Sequence, residues 1–212
     1  MNYYDHPYTS NSDLSKLFLQ LKNRDYQQEF NNAYRIGTLV DALITTPAQV
    51  DFENRTVIGT KYGYTLDELG HGQKCRDAFH KDRDCADLLK ICTGQMEIYK
   101  SDHPIEYNGI RFTRHMKCKP DLYSLAAGMG PDIKTTTATS QAQFEAAAKY
   151  FRYPRQRAVY MDLTGFKKDI LIGISKKNFQ IFKIHIRWGD AFHMEGWHDY
   201  RELAYKHWGL GL

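Results

Sequence analysis

Cysteine is scarce in this 212-residue chain, and its spacing is uninformative as a metal or redox pattern. The four residues Cys75, Cys85, Cys92 and Cys118 contain no CxxC pair, which argues against a zinc ribbon and a thioredoxin-type site. The thiols are expected to be reduced and structural. His71 and Cys75 stand four residues apart, and two ligands do not close a metal site. No apolar run approaches the ~20 residues of a membrane-spanning helix, and mean hydropathy is −0.61, so no membrane association is expected. The opening MNYYDHPYTSNSDLSK lacks the basic and apolar regions of a secretory leader. A cytoplasmic protein is the expectation. Internal repeats and low-complexity linkers are missing too, so residues 1–212 read as one domain, helical to about 94 and sheet-containing from about 95.

Charge is mildly basic. Lys plus Arg number 29 against 25 Asp plus Glu, a net of +4, which matters for an acidic partner only where the excess is clustered. Apolar residues at helical spacing predict helices after the Ser10–Asp13 cap and from about Asn32 to Ile44. One or two more are expected over 66–92. Between 95 and 136 the period shortens. Segments 95–100, 110–117, 121–125 and 132–136 are separated by turn residues, with Asn108-Gly109 a strong hairpin signal. They read as an antiparallel meander. Helices are expected again over 140–150 and 154–163, then strands over 169–175 and 180–187, then a closing helix over 193–208. The order predicts an α/β (α+β) fold, a mixed sheet flanked by helices.

The segment with chemistry is Lys119-Pro120-Asp121 followed by Asp132-Ile133-Lys134. Strand side chains alternate faces, so Asp132 and Lys134 share one face and Ile133 turns toward the core. If Asp121 lies on a neighbouring hairpin strand, its carboxylate meets Asp132. Two converging carboxylates repel each other unless a cation lies between them, and hard oxygen donors suit Mg2+ or its substitute Mn2+. The Ile133 carbonyl can supply another oxygen. Asp-x-Lys alone is common, and a solvated strand edge explains it equally well.

The stretch from Glu97 to Tyr160 resembles the PD-(D/E)XK nuclease superfamily, in particular its RecE-like (exonuclease VIII) and lambda-type exonuclease branch. The matching pieces are KCKPD (117–121), PDIKTT (131–136), SxxxF (140–144) and YFRYPRQRAVY (150–160), the last carrying Gln156-x-x-x-Tyr160. The resemblance implies a restriction-endonuclease-like core and a Mg2+-dependent deoxyribonuclease. A double-strand 5′-to-3′ exonuclease acting in recombination, in a bacterial cell or phage-infected host, is the form it favours. By the same resemblance Asp121 and Asp132 bind metal, Ile133 lends its carbonyl and Lys134 is catalytic. Gln156 and Tyr160 line the site, unless Tyr160 is a core aromatic. Glu97 matches an upstream acidic position that contacts metal, or is a surface glutamate. Relatives often carry Gly-x-x-x-His on the first core helix. Here Gly37 is followed by Asp41, either an oxygen ligand in place of the imidazole or an ordinary helix residue. The cysteines lack the spacing of the iron–sulfur cluster found in some branches.

Residues 149–157 place four cations among three aromatics, a composition suited to phosphates and frayed bases. Arg152 and Arg155 are the expected DNA contacts there, joined by Lys117 and Lys119 from the preceding strand. Duplex DNA with a free end, a homo-oligomeric ring and a single-strand annealing partner are the implied associations. The alternatives are a structure-specific or restriction-like endonuclease of the same fold, or a catalytically silent DNA-binding module.

Overall fold

The apolar run Ile170–Ile174 can be satisfied only with cover on both faces and a neighbour on each edge. The computed structural model, which describes residues 3–23 and 31–212, meets that demand. Strand β8 (Lys168–Ser175) lies between β7 (Asp132–Thr136) and β9 (Ile181–Arg187). The β7–β8 pairing is parallel, Asp132 opposite Leu171, and β8–β9 is antiparallel. β8 is buried from Asp169 to Ser175.

Around this mixed sheet the helices fall close to their expected bounds. Helix α1 (Asn11–Leu21) opens with a capping box between Ser10 and Asp13, which satisfies backbone donors at the helix start. Helix α2 (Asn31–Thr45) lays Val40 and Ile44 into the core beside Ile133 and Ile172. A short hairpin, β1 (Val50–Asp51) and β2 (Thr56–Val57), leads to α3 (Leu66–Lys81) and α4 (Arg83–Ile91). After the sheet's first strand come α5 (Gln141–Tyr150), capped by Ser140, and α6 (Tyr153–Thr164). Helix α7 (Ala191–Gly209) closes the chain, packing Tyr200 and Leu203 with Leu14, Val159 and Leu163.

The meander is where the expectation needs correcting. Strands β4 (Ile98–Tyr107) and β5 (Ile110–Cys118) form the expected hairpin, with Asn108 and Gly109 at φ 50° and 78°. Both residues at positive φ suit a tight two-residue hairpin turn. The chain then leaves the hairpin: β6 (Leu122–Tyr123) pairs with β3 (Thr93–Gly94), and β7 crosses to β8. Local turn signals are equal for either course. The buried edge of β8 decides, because it needs a partner and β7 supplies one.

Helices α6 and α7 cross at Gly196. A Cβ there would lie 2.0 Å from the Pro154 carbonyl oxygen, so the two backbones could not keep their separation. Gly196→Ala is expected to cost about 1–3 kcal/mol through overpacking. For a chain of this length that lowers the melting temperature by roughly 2–12 °C in a thermal melt.

Candidate active site

Asp121 sits just before β6, off any strand, and meets β7 through the backbone. Its Oδ2 accepts the Ile133 N–H at 2.8 Å, which places the carboxylate beside the Asp132–Lys134 edge. The facing-strand route to this meeting is therefore corrected. Ile133 is buried in the core as alternation requires. On the opposite face Lys134 pairs its ammonium with Asp132 Oδ2, a buried oxygen that has no hydrogen bond. Helix α2 brings Asp41 to the same place. Its oxygens are held by Gln95 Nε2 at 2.8 Å and Thr45 Oγ1 at 3.3 Å.

These groups titrate as neighbours. Burial pushes Asp41 up to about 6, with Lys134 opposing and Asp132 reinforcing. Burial raises Asp121 well above the carboxylate range, and the charges of Asp41 and Asp132 raise it further. At Lys134 burial favours the neutral amine, yet Asp132 and Asp121 outweigh it and hold the proton on Nζ. Three carboxylates and one ammonium thus share a single electrostatic environment, in which Asp41 and Asp121 resist ionisation while their neighbours carry charge.

Such mutual repulsion is what a divalent cation relieves, and the donors are hard oxygens suited to Mg2+ or Mn2+. Among the described residues no three His, Cys, Asp or Glu side chains form a metal-holding group by themselves. A cation here would take carboxylates from Asp121 and Asp132, with backbone or water oxygens completing its shell. Glu97 is exposed, accepts the Tyr99 hydroxyl at 3.0 Å and pairs with Lys119 at 3.4 Å. That arrangement places it in a surface ion pair.

Helix α6 contributes most of what the sequence did not disclose. Arg157 is completely buried and bridges two carboxylates: Nη2 donates to Asp132 Oδ1 and Nη1 to Asp169 Oδ2, each at 3.1 Å. Nη1 also donates to the Gly130 carbonyl at 2.9 Å. Burial pushes Asp169 up to about 7, with Arg157 opposing. Arg157 thereby fixes Asp132 from behind while Lys134 meets its other oxygen. Gln156, the residue before Arg157, places Nε2 3.5 Å from the hydroxyl of Tyr160 one turn on, and the Arg157 guanidinium sits 4.4 Å from the Tyr160 ring centre. Gln156 Oε1 is buried without a partner. Burial raises the Tyr160 hydroxyl, and Asp132 adds to it, so Gln156 and Tyr160 stand beside the carboxylates.

Two expected DNA contacts are corrected. Arg155 is 2% exposed and donates to Asn11 Oδ1, Ser15 Oγ and Asp199 Oδ2, tying α6 to α1 and α7. Lys117 is buried and donates to the Tyr3 and His6 carbonyls, each at 2.7 Å. Both cations satisfy internal acceptors and cannot reach phosphate. Arg152 differs: exposed at φ 59°, it precedes α6 without a side-chain capping bond, and its guanidinium lies 5.0 Å from the Phe18 ring centre. Lys119 is half-buried beside Glu97.

Comparison with solved structures finds a candidate exonuclease from Eubacterium rectale, 19% identical, with a TM-score of 0.64 over 97% of this chain and 83% of that one. At that identity the likeness shows a shared fold. An alkaline exonuclease (LHK-Exo) from Laribacter hongkongensis is 12% identical, with a TM-score of 0.42 over 96% of this chain and 89% of that one. No curated protein matches. A model of the PDDEXK-like domain of unknown function DUF3799 matches residues 13–202, and the chain belongs to that family.

Proposed function

We propose that the protein is a Mg2+-dependent deoxyribonuclease that hydrolyses phosphodiester bonds from the ends of duplex DNA, in the 5′-to-3′ direction. The observation that carries the reading is the bond from Ile133 N–H to Asp121. It sets that carboxylate against the backbone between Asp132 and Lys134, where two acids and an ammonium can act on one phosphate. A bound divalent cation would supply Lewis-acid stabilisation of the phosphate oxygens and activation of water. Asp121 and Asp132 would hold it. The rest belongs to the chain itself. Lys134, kept protonated by its neighbours, stabilises charge developing on the phosphate rather than serving as the initial base. Arg157 keeps Asp132 in one orientation. Gln156 and Tyr160 offer polar contacts beside the reacting phosphate, and exposed Arg152 is placed for the backbone of the DNA. The homo-oligomeric ring and the annealing partner enter this reading through resemblance.

Digestion of end-labelled linear duplex and of covalently closed circles, with Mg2+ or with EDTA, tests the proposal. Linear DNA is expected to release label from its 5′ ends only with Mg2+, while circles stay intact. Cutting of closed circles would support the endonuclease form instead, and Mg2+-independent digestion would overturn the mechanism.

Cation binding has a second readout. Asp41 at about 6 lies above its ordinary 3.8, so the native state binds more protons than the unfolded chain between those values. This group's contribution to stability therefore falls as pH rises from about 4 to 6. A divalent cation favours the ionised carboxylates and binds less well below pH 6. At a hundredfold excess over Kd, stabilisation is about 2.7 kcal/mol, a rise of roughly 5–10 °C. Thermal melts with Mg2+ should show that rise at pH 8 and little of it at pH 5.

A further inference from the structure

At the end of β8 opposite Ser175 lies a shallow groove of about 770 Å³ that the catalytic reading does not use. The turn Ala127-Gly128, the link Gly165–Lys168 and the end of β9 at Arg187-Trp188 form its walls. Its floor is aromatic: Phe166 packs against Tyr123, with ring centres 5.3 Å apart, and Trp188 lies beside it. Its rim is cationic. Lys167, Lys168 and Arg187 are exposed, and among the described residues no acidic side chain lines the groove.

The charges are held in place. Lys168 and Arg187 stand directly opposite in the β8–β9 register, an arrangement of like charges that destabilises a sheet unless something neutralises it. The Lys167 ammonium lies 3.7 Å from the Trp188 ring centre and its carbonyl accepts the Trp188 N–H at 2.9 Å, which draws this charge to the groove's aromatic wall. Asp190, three residues beyond Arg187, makes no ion pair with these cations among the described residues. Its Oδ2 accepts the Arg187 backbone N–H and its Oδ1 the His193 N–H, which directs the carboxylate to the start of α7. Three exposed cations around an apolar floor, with no ion-pair partner among the described residues, match a polyanion that also carries apolar rings.

The groove adjoins the candidate site along the chain. Lys168 precedes Asp169, the partner of Arg157, and lies three residues before Leu171, which pairs with Asp132. At ~3.3 Å per residue that is about 10 Å of strand. We propose that this groove binds the sugar-phosphate backbone of a single DNA strand, with Lys167, Lys168 and Arg187 on phosphates and Trp188 beside a sugar or base. The choice of DNA over an acidic peptide rests on the nuclease reading.

The test measures binding of fluorescein-labelled oligothymidylate (12 nucleotides) in EDTA by anisotropy, so that no cleavage enters. The comparison is between wild type, Lys168→Glu/Arg187→Glu and Lys177→Glu, which alters charge at the opposite end of β8. The double variant is expected to bind at least 10-fold more weakly, with its log–log salt slope reduced by about 1.4 for two lost phosphate contacts. Lys177→Glu should stay within about twofold. All three residues are exposed, and coincident thermal melts will show that folding is retained. Equal binding by wild type and the double variant would overturn the assignment, and so would competition by oligoglutamate as effective as by unlabelled oligothymidylate. Digestion of duplex with Mg2+ is scored separately. Groove-dependent binding without digestion would defeat the nuclease reading and leave the groove standing; digestion with groove-independent binding would do the reverse.

Discussion

Lys134→Ala is expected to abolish Mg2+-dependent digestion, with a loss of at least 10³-fold in rate while the fold is retained. Removal of one preorganised charge stabiliser from a water-poor site typically costs 10²–10³ in rate, and Lys134 also neutralises Asp132. Its side chain reaches the surface, 21% exposed, so truncation leaves no large cavity. Asp121→Asn is expected to give the same loss by a different route. The amide can still accept the Ile133 N–H, whereas the charge that would hold a cation is gone. Rates from single-turnover digestion, with binding of uncleaved duplex measured in EDTA, separate loss of chemistry from loss of DNA. Near-wild-type rates in either variant would remove these residues from the mechanism.

Arg157→Met is expected to be the most destabilising single change in the site. Breaking a buried ion pair costs about 3–5 kcal/mol, because the stranded charge has no water to turn to. Here two carboxylates, Asp132 and Asp169, are stranded at once. The expected fall in melting temperature is roughly 6–20 °C. It should be smaller at pH 5 than at pH 8, since Asp169 at about 7 accepts a proton across that interval. Arg157→Met combined with Asp169→Leu removes one stranded charge and should recover part of the stability. Activity should not return with it, because Asp132 has still lost the group that orients it. Full recovery of both would mean that Arg157 is only a structural ion.

The helices were legible because their signals are local. Ser10 and Ser140 cap where a short polar side chain precedes an apolar stripe, and the Asn108-Gly109 hairpin follows from two residues that tolerate positive φ. Asp132 and Lys134 could be placed on one face by alternation alone. What escaped depends on distant partners. Nothing near 121–136 tells β7 to leave the hairpin for β8; the instruction is the burial of a strand some forty residues on. The arginines of 149–157 read as a basic patch for DNA, and Asp169 as the first residue of a strand, with nothing to mark it as a buried ion-pair partner. The missed clue lay further along α6. Ala158, Val159, Met161 and Leu163 bury most of the helix there, and a helix covered on most sides carries its arginines inside with it.

That same helix is anchored at neighbouring turns to different parts of the molecule: Arg155 to α1 and α7, Arg157 to the sheet, and Gly196 of α7 seated against its first turn. Its amide protons should therefore be among the last to exchange with deuterium, opening only when the whole chain unfolds. The surface that meets DNA would then be carried on the least yielding segment of the protein, so adaptation to different termini would fall to the substrate, which must fray or bend to fit.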